Sequence, residues 1–218
     1  MQTSCDLQSD QAFAALLVAL KTGRLRSGEF HTMPALAGVL GFPVAATREA
    51  IKRAEVQALV TVLPKRGFVV METGPDTTRA CMDMRATLEA DGVRRMLAAG
   101  RPALAHLRAT HTALLNEARN HPGADLSRRA LATDLSLHDF MAGGLDNIFL
   151  RQAYEANRNR ITVIQNARVF LPDRVIPAME EHLAIMDAID SGSAGAAVAE
   201  IERHLIQTLR WWGISATS

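Results

Sequence analysis

Apolar residues recur at helical spacing along most of the chain, but the pattern changes once near its start. Three early segments carry apolar positions three or four residues apart: Gln11–Thr22, Met33–Leu40 and Ala45–Ala58. Residues 59–70 instead form two β-rich runs around Pro64–Gly67, which predicts a hairpin with a basic tip. Three helices and a two-stranded wing are typical of a winged helix-turn-helix, which we expect over residues 1–72.

The rest of the chain contains no strand-like stretch. Beyond the linker at residues 71–77, six segments have the periodicity of amphipathic helices: Thr77–Ala99, Pro102–Asn120, Leu126–Ala142, Asp146–Phe170, Asp173–Asp190 and Ala194–Trp212. The pattern predicts a second domain over residues 77–218, built as an antiparallel bundle of six helices. The expected fold class is therefore mainly α.

Four polar residues interrupt the apolar stripes of three bundle helices. Asp134 and His138 are four residues apart, so on a helix they project from one face. His182 and His204 each lie eleven residues from Ser193, within a predicted turn. In an antiparallel pair of helices, equal distances from the turn give equal heights. We therefore expect the carboxylate and the three imidazoles to converge inside the bundle.

Convergence of these four groups predicts a metal site. Each histidine alone is explained as a core residue satisfied by a backbone carbonyl or a water, but an inward carboxylate among apolar neighbours needs a partner. A cation shared with three neutral imidazoles would supply one. This ligand set suits Zn²⁺, with Ni²⁺, Mn²⁺ or Fe²⁺ as other possibilities. Cys5 and Cys81 form no paired motif, which disfavours a thiolate site.

Composition adds limits on the class of protein. The chain has 218 residues, of which 48% are hydrophobic and 22% charged, as in ordinary globular domains. The longest apolar run, Phe13–Leu20, is too short to span a bilayer and is unlike a signal peptide. We therefore expect a cytoplasmic protein without a membrane segment.

Charge is distributed unevenly along the chain. The net charge is +1, but residues 1–70 hold eight Lys/Arg against five Asp/Glu, and all three lysines. This weak basic bias is compatible with a nucleic-acid contact surface on the first domain.

The first domain resembles the DNA-binding domain of GntR-family bacterial transcription regulators. The resemblance rests on four motifs: Gly23-Arg-Leu-Arg-Ser-Gly28, Leu36 to Gly41, Arg48-Glu-Ala-Ile51 and Leu59 to Val69. It implies DNA contacts by Thr47, Arg48 and Lys52 on the recognition helix and by Lys65 and Arg66 on the wing. Instead of contacting DNA, Arg48 could form an ion pair with Glu49 or Glu55. Arg66 could be a solvated charge in a loop.

One motif departs from that family. Where the family has Ser-Arg-Thr-Pro before its Arg-Glu-Ala, this chain has Pro43-Val44-Ala45-Ala46, so a hydroxyl cap and an arginine that typically contacts DNA are missing. Pro43 can still begin the helix sterically. The departure predicts an altered sequence preference or weaker binding.

The bundle resembles the ligand-sensing FCD domain of the FadR subgroup, in its shorter VanR-like version. Asp134 and His138, Glu181-His182 and His204 match the order and spacing of the subgroup's metal signature. The resemblance implies a homodimer that binds a palindromic double-stranded DNA operator. It also implies a small organic acid as effector, with Arg85 as the best candidate to bind its carboxylate.

Other assignments in the bundle stay open at this point. Arg85 is equally explained by an ion pair with Glu89, four residues later. Arg160 and Arg168, on the fourth bundle helix, are further effector candidates or plain surface charges. Three histidines are expected on the surface or at helix ends: His106, His111 and His121. Three aromatic residues are expected at an interface or in the core: Phe149, Trp211 and Trp212.

Two further functions compete with that of a regulator. An open site with histidine ligands can activate water in a metalloenzyme that acts on a small carboxylate. We expect no enzyme, because the sequence offers no evident general base or nucleophile beside the ligands. The second alternative is a regulator whose metal is purely structural and which ignores organic acids.

Overall fold

Contacts between Cα atoms divide the chain into two compact units, which we describe separately. The computed structural model describes residues 2–100, 102–120, 123, 125–168 and 172–215. The first unit comprises Met1–Thr78 and Ala156–Arg168, and the second comprises Arg79–Glu155 and Val169–Ser218. The sequence predicted domains of 1–72 and 77–218 on either side of one linker. The contacts instead assign residues 156–168 to the first unit.

The first unit is a winged helix. Its elements in chain order are α1 (Gln2–Lys21), β1 (Phe30–His31), α2 (Met33–Leu40), α3 (Val44–Val56), β2 (Val60–Leu63) and β3 (Gly67–Val70). The three strands form an antiparallel sheet in the order β1-β3-β2, in which Leu63 pairs with Gly67 and Phe30 with Val69. Its core contains large apolar side chains with at most 2% exposure: Leu16, Leu20, Leu25, Leu36, Ile51, Leu59 and Phe68.

Two features of this unit differ from the sequence prediction. Helix α1 begins nine residues earlier than the predicted Gln11, because its polar first half carries no apolar stripe to reveal it. Strand β1 was not predicted, since two residues are too few to show a periodicity.

Gly67 is the position at which the hairpin and strand β1 approach most closely. It adopts a φ of +150°, and a Cβ there would lie 2.1 Å from the His31 carbonyl oxygen. Only glycine fits such an approach. The pairing of strand β1 with β3 therefore depends on Gly67, which follows the basic tip.

In the described part of the chain, six helices follow the winged helix, close to the places that the sequence predicted. They are α4 (Pro75–Ala99), α5 (Ala105–Asn120), α6 (Leu126–Ala142), α7 (Ile148–Ala167), α8 (Pro172–Asp190) and α9 (Ala194–Trp211), with the first residues of α4 and the end of α7 in the first unit. Asn147 caps α7, because its Oδ1 accepts from the backbone N–H groups of Phe149 and Leu150. Ser193 caps α9 by accepting from the Ala196 N–H at 3.2 Å.

Two apolar clusters of the bundle core have a polar layer between them. On α8, Met179 belongs to one cluster and Ile185 to the other, with His182 between them. Asp134 and His138 occupy the corresponding stretch of α6. Both apolar clusters keep water away from this layer, so its polar groups have to satisfy one another or a ligand.

No helix in the described ranges combines the length and the apolarity needed to cross a membrane.

Helices α4 and α6 pack backbone against backbone at two glycines. A Cβ on Gly92 would lie 2.2 Å from the Met141 carbonyl oxygen, and a Cβ on Gly144 would lie 2.1 Å from the Gly92 carbonyl oxygen. Gly92 is three residues after Glu89, and Met141 is three residues after His138. This contact lies one turn away from the polar layer, and it therefore fixes the distance between α4 and α6 near that layer.

We predict that Gly92→Ala destabilises the bundle by about 1 to 3 kcal/mol, because the added methyl group forces the two backbones apart. Urea unfolding of the metal-free protein, followed by tryptophan fluorescence, measures this, since both tryptophans lie in the second unit. Gly195→Ala in α9 is the matched control, because nothing lies within 4 Å of its Cβ position. The control should leave stability unchanged or slightly raised. Equal unfolding midpoints for Gly92→Ala and the wild type would contradict the packing argument.

Candidate functional site

Four buried side chains from three helices meet in the polar layer of the bundle. They are Asp134 and His138 of α6, His182 of α8 and His204 of α9, and their donor atoms all lie within 4.8 Å of one another. His182 Nε2 lies 3.4 Å from both Asp134 Oδ1 and His204 Nε2, and His138 Nε2 lies 3.7 Å from Asp134 Oδ1. The convergence expected from the sequence is therefore present.

The spacing and the donor types fit a divalent cation. For a tetrahedral zinc site with bonds of about 2.1 Å, neighbouring ligand atoms are roughly 3.4 Å apart. The measured separations of 3.4, 3.4 and 3.7 Å are close to that value. His138 Nε2 is buried and has no hydrogen-bond partner among the described residues. A cation shared by the four groups would satisfy this nitrogen.

Two glutamates orient two of the imidazoles. His138 Nδ1 donates to the carboxylate of Glu89 at 3.0 Å, and His204 Nδ1 donates to Glu181 Oε2 at 2.7 Å. Since a carboxylate only accepts, both rings carry their proton on Nδ1, and the Nε2 lone pairs face the cluster. Such outer partners fix the tautomer and the orientation of metal-ligating histidines.

A buried arginine supports Glu181 in turn. Arg174 donates to both oxygens of Glu181 at 2.6 Å and, through Nη2, to Thr208 Oγ1 at 3.1 Å. Its guanidinium also lies 5.8 Å from the ring centre of Trp211. Sequence inspection did not identify this role of Arg174. Its position seven residues before Glu181 on one helix face is a signal that could have found it.

Electrostatics keeps the carboxylate ionised and two of the imidazoles neutral. Burial acts to raise the pKa of Asp134, but the positive charge of His138 and of the Arg85 guanidinium outweighs it and holds that pKa well below its usual range. Burial lowers the pKa of His182 well below its ordinary value and also lowers the pKa of His204. Neutral imidazoles and an ionised carboxylate are the forms that bind a metal.

His138 differs from the other two imidazoles. Burial and the Arg85 guanidinium act to lower its pKa, but Glu89 and Asp134 outweigh them and raise it. The raised pKa makes proton uptake easier at His138 than at the other two imidazoles. Cation binding and protonation compete at this ring.

Arg85 lies close to the cluster and is 5% exposed. Its Nε is 3.7 Å from Glu89 Oε1, an ion pair beyond hydrogen-bond length. Its charge contributes to the pKa shifts of Asp134, His138 and His204. Arg85 therefore forms the expected ion pair with Glu89, and its binding of an effector carboxylate stays a prediction.

The other two effector candidates make their contacts in the first unit. Arg160 Nε donates to the Gln57 carbonyl at 2.7 Å, and Arg168 Nη2 donates to the Thr73 carbonyl at 3.2 Å. These contacts do not support an effector role at the bundle site.

The expectation that His111 lies at the surface is wrong. Its side chain is fully buried on α5, with its ring centre 5.3 Å from that of His182. His111 continues the apolar stripe of Leu107, Leu114 and Leu115, which is the signal that could have identified it. His106 is exposed as expected, and His121 lies outside the described residues.

The winged helix brings four predicted DNA-contact residues together. Arg48 and Lys52 of α3 and Lys65 and Arg66 of the wing tip are all exposed, and they line one cleft of about 540 Å³. Lys65 adopts a φ of +61° at the tip of the hairpin. The cleft combines a recognition helix and a wing, the two elements with which winged helices contact DNA.

Thr47 does not belong to this surface. Its side chain is fully buried, and its hydroxyl donates to the Pro43 carbonyl at 3.1 Å. A threonine hydroxyl bonded to the preceding turn of its own helix has no surface with which to contact a base. The predicted DNA contact by Thr47 is therefore corrected.

The carboxylates considered as partners for Arg48 are engaged elsewhere. Glu49 accepts from Lys52 Nζ at 2.8 Å, and Glu55 Oε1 accepts from the Val62 N–H at 3.1 Å. Helix α3 begins at Val44, and Pro43 precedes it without a side-chain cap. Val44 is 40% exposed at the position where the resembled family has its arginine.

Of the three aromatic residues expected at an interface or in the core, two are exposed and one is half-buried. Phe149 is 75% exposed and Trp211 is 41% exposed. Trp212 is half-buried after the end of α9.

Comparison with protein families gives one match, which spans most of the second unit. The FCD domain matches residues 80–207, a stretch that contains all four clustered side chains as well as Arg85, Glu89 and Arg174. No curated protein matches the chain.

Solved structures of low sequence identity share the fold over nearly the whole chain. McbR/YncC of E. coli is 17% identical with a TM-score of 0.74, and a protein of Rhodococcus sp. RHA1 described as a transcriptional regulator GntR is 17% identical with a TM-score of 0.72. Both alignments cover 94% of this chain and 97% of the other. Lar, which controls expression of the Listeria monocytogenes agr system, is 14% identical with a TM-score of 0.53, over 95% of this chain and 97% of Lar.

Proposed function

The chain belongs to the FCD domain family and has the fold of GntR-type transcriptional regulators, and from this we propose that it is a metal-dependent, acid-responsive regulator of transcription. Its winged helix binds operator DNA, and its bundle binds a divalent cation, zinc first among the candidates. A small organic acid binds at that cation and changes the affinity for DNA.

The observation that carries this proposal is the convergence of Asp134, His138, His182 and His204 inside the matched domain. Three imidazoles and one carboxylate suit zinc, and they also accommodate nickel, manganese or iron. When bound, such a cation supplies an electrophilic centre with room for one or two further oxygen ligands. The four protein groups hold it, and Glu89 and Glu181 fix the orientation of two of them.

Charge balance favours an anion as the additional ligand. Asp134, Glu89 and Glu181 provide three negative charges in and around the polar layer, and Arg85 and Arg174 provide two positive charges. A divalent cation would leave the site with an excess of one positive charge. A buried excess charge is costly, and one carboxylate removes it.

Arg85 is the side chain best placed to bind that carboxylate. It is buried beside the cluster, and its ion pair with Glu89 is longer than a hydrogen bond. Its planar donors can make a bidentate contact with the carboxylate of an acid. The ion pair with Glu89 holds the guanidinium in place for this contact.

DNA binding is proposed for the cleft between α3 and the wing. Arg48 and Lys52 lie on the recognition helix, and Lys65 and Arg66 lie on the wing tip. Helix residues of this kind contact base edges in the major groove, whereas wing residues contact phosphates. A homodimer would present two such surfaces to the half-sites of a palindromic operator.

Coupling between acid and DNA then requires only a shift of population. An acid that binds the metal-loaded bundle more tightly in one arrangement favours that arrangement. If the two arrangements differ in DNA affinity, the acid changes operator binding, and DNA changes acid binding by the same factor. No covalent bond is broken in this scheme.

We predict that His182→Ala and His204→Ala each lower zinc affinity by at least about tenfold, because each removes one ligand of the cluster. Elemental analysis after dialysis against zinc at a limiting concentration measures the loss. His106→Ala, an exposed histidine on α5, is the matched control and should retain wild-type zinc content. Unchanged zinc stoichiometry in both ligand variants would show that the site assignment is wrong.

We predict further that a carboxylic acid changes DNA affinity by roughly fivefold or more in the zinc-loaded protein. A thermal-shift screen of mono-, di- and tricarboxylic acids, with and without chelator, identifies the acid. Fluorescence anisotropy on a DNA site selected from random sequence then measures the change. The substitution Arg85→Met should lower the affinity for the acid by about tenfold or more, because it removes charged hydrogen bonds. Arg94→Met, an exposed arginine on the same helix, is the control.

Each alternative function gives a different outcome. If the metal has a purely structural role, no acid changes the affinity for DNA. Chelation of the metal then lowers the stability of the protein. A metalloenzyme would turn over an acid without binding any selected DNA. Equal acid affinity in Arg85→Met and Arg94→Met would exclude Arg85 as the carboxylate ligand.

A further inference from the structure

Two of the three clustered imidazoles have an outer hydrogen-bond partner, and the third, His182, has none among the described residues. His138 donates to Glu89 and His204 donates to Glu181 through their Nδ1 atoms. His182 Nδ1 is buried and makes no hydrogen bond within the described part of the chain. A buried N–H without an acceptor costs free energy, so the position calls for a partner.

The protonation of His182 at a metal site follows from its geometry. Its Nε2 faces Asp134 Oδ1 and His204 Nε2, each at 3.4 Å, and so points to the centre of the cluster. A ligating nitrogen contributes its lone pair to the cation, which leaves the proton of the neutral ring on Nδ1. His182 Nδ1 is therefore a donor.

His111 offers the complementary group. Its Nδ1 lies 2.8 Å from the Leu107 carbonyl oxygen, and because a carbonyl only accepts, this nitrogen carries the proton. The Nε2 of the neutral ring is then an acceptor, and it too is buried without a hydrogen-bond partner in the described residues. The rings of His111 and His182 meet edge to face, with centres 5.3 Å apart and planes at 60°.

We propose that His111 is a positioning residue for the bundle's metal site: when a cation holds His182 Nε2, the Nε2 of His111 accepts the Nδ1 proton of His182, a hydrogen bond that the two nitrogens do not make in this structure. With His111, each ligating imidazole has its own hydrogen-bond acceptor. This inference rests on the proposed metal binding. The third acceptor is neutral, whereas the first two are carboxylates. A third buried carboxylate here would cancel the positive charge that favours an acid at the site.

The choice of a neutral acceptor has a chemical consequence for His182. Hydrogen bonding to a carboxylate raises the basicity of a ligating imidazole more than hydrogen bonding to a neutral nitrogen does. His182 is therefore a weaker donor to the cation than His138 and His204. The cation retains more of its electrophilic character for an incoming carboxylate.

Zinc affinity and imidazole tautomers together test this proposal. Zinc affinity is measured by competition with a chromogenic chelator for the full-length wild type, His111→Leu, His111→Gln and the control His106→Leu. We expect His111→Leu to lose about ten- to hundredfold in affinity, the usual effect of removing an outer partner. Glutamine supplies an acceptor oxygen and should regain at least part of the loss. His106→Leu should match the wild type.

A spectroscopic measurement separates positioning from packing. Two-bond ¹H–¹⁵N spectra of the zinc-loaded wild type should show His111 and His182 both protonated at Nδ1, with a hydrogen-bonded His182 proton. In His111→Leu that proton should move upfield and exchange faster. A His111 ring protonated at Nε2 in the wild type would overturn the proposal even if no variant folds. An unshifted His182 proton in His111→Leu would likewise overturn it.

The outcomes also separate this inference from the function on which it rests. If the wild type binds no zinc, the proposed metal function fails. If the wild type binds zinc and His111→Leu binds it equally well, only the role of His111 fails.

Discussion

The ionised carboxylate of Asp134 inside an apolar helix bundle is the constraint on which the rest of the site depends. A buried charge of this kind persists only when positive charge or strong donors surround it. Here three imidazoles and the Arg85 guanidinium surround it, and the imidazoles need acceptors of their own, which brings in Glu89 and Glu181. The polar layer is therefore a set of mutually dependent groups, and a divalent cation would satisfy its inward-facing nitrogens.

Helical spacing predicted the convergence of the four clustered side chains, because spacing along one helix and distance from a turn are properties of the sequence alone. The equal distances of His182 and His204 from Ser193 are matched by an Nε2 separation of 3.4 Å. The outer groups could not be predicted in this way. Whether Glu89 reaches His138 depends on how closely α4 and α6 pack, which two glycines decide through contacts distant in sequence.

The errors have equally specific causes. The burial of Thr47 follows from the packing of α3 against the rest of the winged helix, which a family motif for DNA contact does not encode. The surface prediction for His111 rests on the common exposure of single helical histidines, although its apolar stripe resembles those of the clustered histidines. Strand β1 has only two residues, so it shows no periodic pattern.

The central claim is that Asp134 and three histidines hold a divalent cation at which an organic acid completes the coordination. X-ray absorption at the zinc edge of the zinc-loaded protein, with and without the acid, tests it most directly. The account predicts scattering from three imidazoles and carboxylate oxygen at about 2.0 to 2.1 Å, no sulfur, and additional oxygen scattering when the acid is present. Sulfur ligation, fewer than three imidazoles or a spectrum unchanged by the acid would contradict it.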